Sequence, residues 1–191
     1  MPASQTKTKT ALIAIDIQRG ILNDPRLKRK QETLKALDDM VARIAGLIAR
    51  ARSARVPVIH VQHDGGKGHR LEPNTPGWPL RSEIAPRPGE LVIHKRASDS
   101  FFQTTLDAEL SAFGIGCLVA CGCMTQYCVD TTVRRAVSLG YDVVLVADGH
   151  MTADSAALRF EQIIAHHNAV LDGFDAGSHE VQVLPASEIS F

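Results

Sequence analysis

The sequence predicts a three-layer α/β/α architecture: a six-stranded, mostly parallel sheet with helices on both faces. Three observations predict it. Short apolar runs recur along the chain, helical periodicities separate most of them, and the first run lacks the alternation of a half-exposed strand. That run, Ala11 to Ile15, is continuously apolar and ends in Asp16, which places a carboxylate at the carboxyl edge of a strand covered on both sides. A long helical pattern follows, with Leu37, Val41, Ile44, Ile48 and Ala51 on one face and Arg50, Arg52 and Arg55 near its end. Val56–Val61, Leu91–Ile93, Gly116–Cys121 and Tyr141–Ala147 read as the second to fifth strands, and His179–Leu184 as the sixth. Leu106, Leu110 and Phe113 repeat at helical spacing, as do Val129, Val133, Ala136 and Val137 before Gly140, and a last helix is expected from about Ser155 to Leu171. No internal repeat is present.

A chain of 191 residues with 45% hydrophobic content buries one sizeable core and hardly two, so residues 1–191 are read as one domain. Lys plus Arg and Asp plus Glu each total 21, which leaves no net field to gather nucleic acid or an anionic membrane. The Lys28-Arg29-Lys30 run is read as solvated surface. The polar stretch Met1 to Thr10 lacks the apolar core of a signal peptide, and no apolar run has membrane-spanning length, so a cytoplasmic location is expected.

All four cysteines, 117, 121, 123 and 128, fall within twelve positions, at spacings that fit neither a disulfide framework nor a zinc site. Cys117 and Cys121 flank Val119 in an apolar run and read as small core residues. Cys128 differs. It lies where the strand pattern gives way to a helical one, and the positive end of a helix there favours thiolate, while unpaired backbone N–H groups are placed to hold an oxyanion. In a doubly wound sheet ligands bind beyond the carboxyl ends of the strands, so Asp16, the segment after Ile93 and the Cys128 turn converge on one edge. Between the second and third strands lies Asp64 to Glu90, with five prolines and the chain's single tryptophan, Trp78. It reads as a lid or a subunit contact.

Three ordered motifs now resemble a known family. Ala14-Ile15-Asp16-Ile17-Gln18, Lys95 followed by Ser100-Phe101 and Thr104-x-Leu106, and Gly122-x-x-Thr125-x-x-Cys128-Val129 are similar to those of the isochorismatase-like cysteine hydrolases. That family includes nicotinamidases, carbamoylsarcosine amidases and streptothricin hydrolases, and the resemblance spans nearly the whole chain. It implies an isochorismatase-like fold and a catalytic triad of Asp16, Lys95 and Cys128, in which the ammonium favours thiolate and the carboxylate moves the proton. It implies a C–N hydrolase that passes through a Cys128 thioester, with Met124, Thr125 and Cys128 supplying backbone N–H groups to the oxyanion. It also implies a cis peptide bond between Cys123 and Met124, and a homodimer or homotetramer.

Departures from the family narrow the substrate. Nicotinamidases carry an Asp-x-His metal motif after the second strand, whereas this chain has Val61-Gln62-His63-Asp64; His63, Asp64 and His69 are in a different order, so no metal or other cofactor is expected. True isochorismatases cleave a vinyl ether without a cysteine nucleophile, and Cys128 argues against that reaction. Asp99, in Asp99-Ser100-Phe101, is expected to cap the next helix. Gln62-His63-Asp64-Gly65-Gly66, Thr75-Pro76-Gly77-Trp78 and Met124-Thr125-Gln126-Tyr127 look most like the streptothricin-hydrolase branch, whose members open amides. The candidate substrate contacts are Gln18, Trp78, Phe101 and Tyr127 for a small-molecule amide, and His150 is assigned a structural loop role. The alternatives are a redox-sensing thiol protein, with Cys123 resolving Cys128, and an isochorismatase-type hydrolase of a different small substrate. A dinucleotide-binding protein is set aside because no Gly-x-Gly-x-x-Gly follows the first strand.

Overall fold

Strand β1 (Lys9–Ile15) lies in the middle of the sheet, and the residues around it decide the layering. In this computed structural model, which describes residues 9–24 and 29–191, Leu12 and Ala14 face one core while Ala11, Ile13 and Ile15 face the other. The run Ala11 to Ile15, apolar at every position, is therefore used on both sides, as a parallel sheet between two helical layers demands. The helix α1 (Lys30–Ser53) packs Leu37, Val41, Ile44, Ile48 and Ala51 into the first core, joined by Phe160 of α4 (Phe160–Leu171). The second core receives Leu106 and Leu110 from α2 (Leu106–Phe113) and Val133, Ala136 and Val137 from α3 (Asp130–Ser138). Each such aliphatic side chain, moved from water to the interior, contributes about 1.5–3 kcal/mol before conformational entropy is charged.

The remaining strands are β2 (Val58–His63), β3 (Leu91–Lys95), β4 (Ile115–Cys123), β5 (Asp142–Met151), β6 (Asp175–Ala176) and β7 (His179–Leu184), in the order β3-β2-β1-β4-β5-β7-β6. Six of the seven strands run parallel, and the seventh, β6, is a two-residue antiparallel partner of β7. The expected six-stranded sheet thus gains one short strand, too brief to leave a periodic signal. Boundaries also move. β2 starts two residues later than expected, β3 runs on to include Lys95, and β5 extends to Met151, so that His150 lies in a strand rather than a loop. The last helix starts at Phe160 because Ser155 Oγ accepts the N–H groups of Ala157 and Leu158, and Asp154 Oδ1 accepts that of Phe160, turning the chain before the helix can begin. Phe113 ends α2 pointing outward, 46% exposed.

Of the basic run, Lys28 lies outside the described residues, as do Met1 to Thr8 of the amino-terminal stretch. Arg29 is not merely solvated: it pairs with Glu161 at 3.0 Å and its guanidinium lies over the Phe160 ring, tying the start of α1 to α4. No helix among the described residues is long and apolar enough to cross a membrane.

The chain moves from β1 outward through β2 and β3, then returns to the other side of β1 for β4, so the strand order reverses between β1 and β4. Such a reversal opens a crevice at the carboxyl ends of the two strands. Gly122 sits at that point, opposite Ile15 in register, with φ of 132°. A Cβ there would lie 2.0 Å from the Ile15 carbonyl oxygen, so only glycine lets the two strands close together. We expect Gly122→Ala to cost at least about 3 kcal/mol in chemical denaturation, through combined backbone strain and overlap. A cost below about 1 kcal/mol would mean that the strands need not approach so closely.

Candidate active site

Three strand ends deliver three side chains to this crevice. Asp16 follows β1 with a left-handed φ of 51°, a conformation Asp tolerates better than most residues. Its backbone N–H is held by the Val61 carbonyl at 2.9 Å. Lys95 ends β3, in register with His63 of β2. Cys128 lies in a single π turn, Thr125–Val129, between β4 and α3. Asp16 is fully buried and Lys95 is 2% exposed.

Lys95 Nζ stands 2.7 Å from Asp16 Oδ2, while its hydrogens are directed to the carbonyls of Ala97 at 2.9 Å and Ser98 at 3.3 Å. The contact with Asp16 is therefore a close, buried ion pair. Cys128 completes the cluster, its thiol in side-chain contact with both Asp16 and Lys95. Burial raises the Asp16 carboxyl above its ordinary range, although Lys95 and the thiol pull it down. Burial alone would lower the Lys95 ammonium, but the negative charge of Asp16 and of a Cys128 thiolate outweighs it and the net shift is upward.

The thiol corrects the expectation from sequence. Burial and the neighbouring Asp16 charge push Cys128 up to about 12, against the smaller opposing pull of Lys95. The direction of the shift favours a resting thiol over a preformed thiolate. The lysine is present as expected, but the Asp16 carboxylate acts on the thiol with the opposite sign and the larger effect.

Asp16 and Cys128 open onto a cavity of about 150 Å³ whose apolar lining comes from Ile21, Leu71, Met124 and Tyr127 and whose polar lining comes from His63, His69 and Arg70. Lys95 lies behind Asp16 and lines a separate cavity of about 260 Å³ with Asp64, His94 and Phe102. Burial lowers His63 to about 4, helped by repulsion from Lys95, so the ring is neutral at physiological pH. Asp16, Cys128, Met124 and Tyr127 are therefore the predicted site residues that line the Cys128 cavity. Thr125 is buried, and its hydroxyl donates to His150 Nδ1 at 3.0 Å. The orientation is set because Asn168 Nδ2 donates to the Ala147 carbonyl, leaving Asn168 Oδ1 to accept from His150 Nε2 at 2.8 Å. His150 thus braces the nucleophile turn from within β5. The Cys123–Met124 peptide bond is cis.

Three of the candidate substrate contacts lie elsewhere. Gln18 is fully buried and spends its amide on backbone: Nε2 donates to the carbonyls of His63 and Trp78, and Oε1 accepts the His63 N–H. Phe101 is core, stacked on Tyr141 with ring centroids 5.9 Å apart. Trp78 donates Nε1 to Asp64 Oδ1 at 2.8 Å and stacks on His94, which pins the proline-rich segment to the sheet edge. That segment does wall the cavity, but through His69, Arg70 and Leu71, a stretch with no periodic or motif signal of its own. Asp99 does not cap the next helix, whose N-cap is Thr105; its Oδ1 accepts the Phe101 N–H at 2.8 Å and caps a turn ahead of α2 instead. Cys121 is buried core, whereas Cys117 is partly exposed. Among the described residues no group of three or more His, Cys, Asp or Glu side chains is arranged to hold a metal ion.

Comparison with known proteins places this geometry in a family. Residues 10–172 match the Isochorismatase domain. The chain is 40% identical over 147 residues to a streptothricin hydrolase of Streptomyces noursei, covering 77% of this chain and 51% of that protein. A second streptothricin hydrolase of the same organism is 34% identical over 155 residues, with 81% of this chain and 59% of the relative covered, so the chain spans little more than half the length of these two relatives. A ureidoacrylate amidohydrolase of Stutzerimonas stutzeri is 28% identical, over 87% of this chain and 78% of that one. Among solved structures, an isochorismatase from Pseudomonas putida KT2440 superimposes with a TM-score of 0.81 at 33% identity, covering 94% of this chain and 89% of that chain. The sheet order, the crevice between β1 and β4 and the extent of the match agree, and the chain belongs to the isochorismatase family.

Proposed function

We propose that this protein is a cysteine-dependent hydrolase that cleaves a C–N amide bond of a small molecule, with Cys128 as nucleophile, Asp16 as proton carrier and Lys95 as the cation that holds Asp16. The observation that carries this reading is the convergence of an ion-paired carboxylate and a thiol, mutually in contact, on one small cavity. Three of the relatives carry names of amide chemistry or of hydrolysis, one ureidoacrylate amidohydrolase and two streptothricin hydrolases, in support of the same class.

The protonation states set the sequence of steps. Because the thiol rests protonated, attack on the carbonyl carbon is coupled to transfer of the Cys128 proton to Asp16. The new S–C bond leaves a tetrahedral oxyanion facing the backbone of the Met124–Cys128 turn. Asp16, now protonated and raised by burial, gives its proton to the departing nitrogen, the C–N bond breaks, and ammonia or an amine leaves. A water molecule then loses a proton to Asp16 and adds to the thioester, and the thiol departs and regains that proton. Lys95 stays charged throughout. The redox alternative has less support, since its resolving partner Cys123 is fully buried and its thiol is held well above the ordinary range by that burial.

Cys128→Ala is expected to reduce ammonia release from a panel of small primary amides to the uncatalysed rate, with an unchanged melting temperature. Residual turnover comparable to wild type would exclude Cys128 as the nucleophile.

A further inference from the structure

We propose that Arg70 is a specificity-determining residue of this site, and that the substrate carries a carboxylate a few bonds from the scissile carbonyl. The inference deepens the amide-hydrolase reading and rests on it only for the identity of the bond that breaks.

Arg70 forms a long ion pair with Asp24, at 3.8 Å, and the other charges around the cavity are matched or neutral among themselves. Asp16 is matched by Lys95 at 2.7 Å, and His63 is neutral because burial and Lys95 both oppose its protonation. His69 is lowered as well, by burial and by Arg70 itself. Arg70 Nε is buried with no hydrogen-bond partner among the described residues. Among the described residues its Nη2 meets the Met124 thioether, at 3.5 Å, and its Nη1 pairs with Asp24 at a separation beyond hydrogen-bond range. His63 Nδ1, in the same lining, is likewise buried without a partner. Buried donors and acceptors are ordinarily satisfied, so two open ones on residues that line a common cavity point to a ligand group that completes them. A guanidinium presents a planar fork of donors, and a carboxylate is its geometric complement.

The placement of Arg70 is built rather than incidental. Its carbonyl is clasped between Gly20 and Gly77, where a Cβ would come within 2.6 Å and 2.3 Å of that oxygen. The Gly65 N–H bonds the Leu71 carbonyl at 2.9 Å and closes the loop that presents Arg70 to the thiol. The cavity of about 150 Å³ brings Arg70 and Cys128 into one lining, which keeps the carboxylate near the reacting carbon.

The test uses the full chain and needs no knowledge of the natural substrate. Alkylation of Cys128 by iodoacetate and by iodoacetamide is followed by peptide mass spectrometry, with glutathione as reference thiol. Taking the ratio of the two rates cancels the thiolate fraction. The iodoacetate-to-iodoacetamide ratio should exceed that of glutathione, fall by about tenfold in Arg70→Met, and be largely kept in Arg70→Lys. A ratio no greater than that of glutathione, or one unchanged in Arg70→Met, would overturn the proposal. As a check independent of any variant, acetate should protect wild-type Cys128 from iodoacetamide where acetamide at equal concentration does not, and equal or absent protection by the two would also overturn it. An Arg70-dependent ratio together with no ammonia from any amide would instead sink the hydrolase reading and leave the anion site standing.

Discussion

Asp16→Asn should lower the rate of amide hydrolysis by on the order of 10³-fold or more, because one carboxylate takes the thiol proton, delivers it to the leaving group and activates the water. The same substitution should make the thiol more acidic, not less. Asp16 contributes the largest charge effect that raises Cys128, and without it the nearest charge is the Lys95 ammonium, which lowers it. A variant with a readier thiolate and almost no turnover would separate nucleophile strength from proton delivery. If Asp16→Asn kept wild-type turnover, the carboxylate would be a structural partner of Lys95 and nothing more.

Lys95→Met has the second large effect, and it falls on stability as well as on rate. Removing one member of a buried ion pair strands the other, at a typical cost of about 3–5 kcal/mol, whereas removing both is often nearly neutral. Lys95→Met alone is thus expected to destabilise the fold markedly in urea. The double variant Asp16→Asn/Lys95→Met should recover most of that loss while remaining inactive. Such a pattern would identify Lys95 as the residue that permits a carboxylate to exist at 0% exposure beside the nucleophile. Equal stability of the single and double variants would contradict it.

Much of this arrangement was legible in the residues. Ala11 to Asp16 reads as a doubly covered strand with a carboxylate at its tip, and β1 is that strand, with both cores on its two faces. Lys95 and Cys128 sit at the other strand ends that the alternation of elements predicts. What escaped depends on distance and on side-chain direction. The sign of the Cys128 shift turns on which of two opposite charges wins once both are buried, and composition cannot rank them. Gln18 lies in the motif that carries Asp16, yet its side chain folds back onto the His63 and Trp78 backbone instead of entering the cavity. Arg70 is the converse. It stands in a loop with no period, and the close contact of Gly20 and Gly77 around its carbonyl, with the Gly65–Leu71 hydrogen bond, holds it in the cavity lining beside the thiol. β6 was missed because two residues have no periodicity, and the early start assigned to α4 ignored the turn made by Ser155 and Asp154.

The pH dependence of Cys128 alkylation by neutral iodoacetamide, compared between wild type and Asp16→Asn, tests the central claim that the thiol and Asp16 share one proton. The account predicts a wild-type apparent pKa well above the ordinary thiol range of about 8.5, toward the value near 12 set by burial and by Asp16, and a clear fall in the variant. A wild-type thiol that titrates below 8.5, or one whose profile is the same with and without the Asp16 charge, would contradict it.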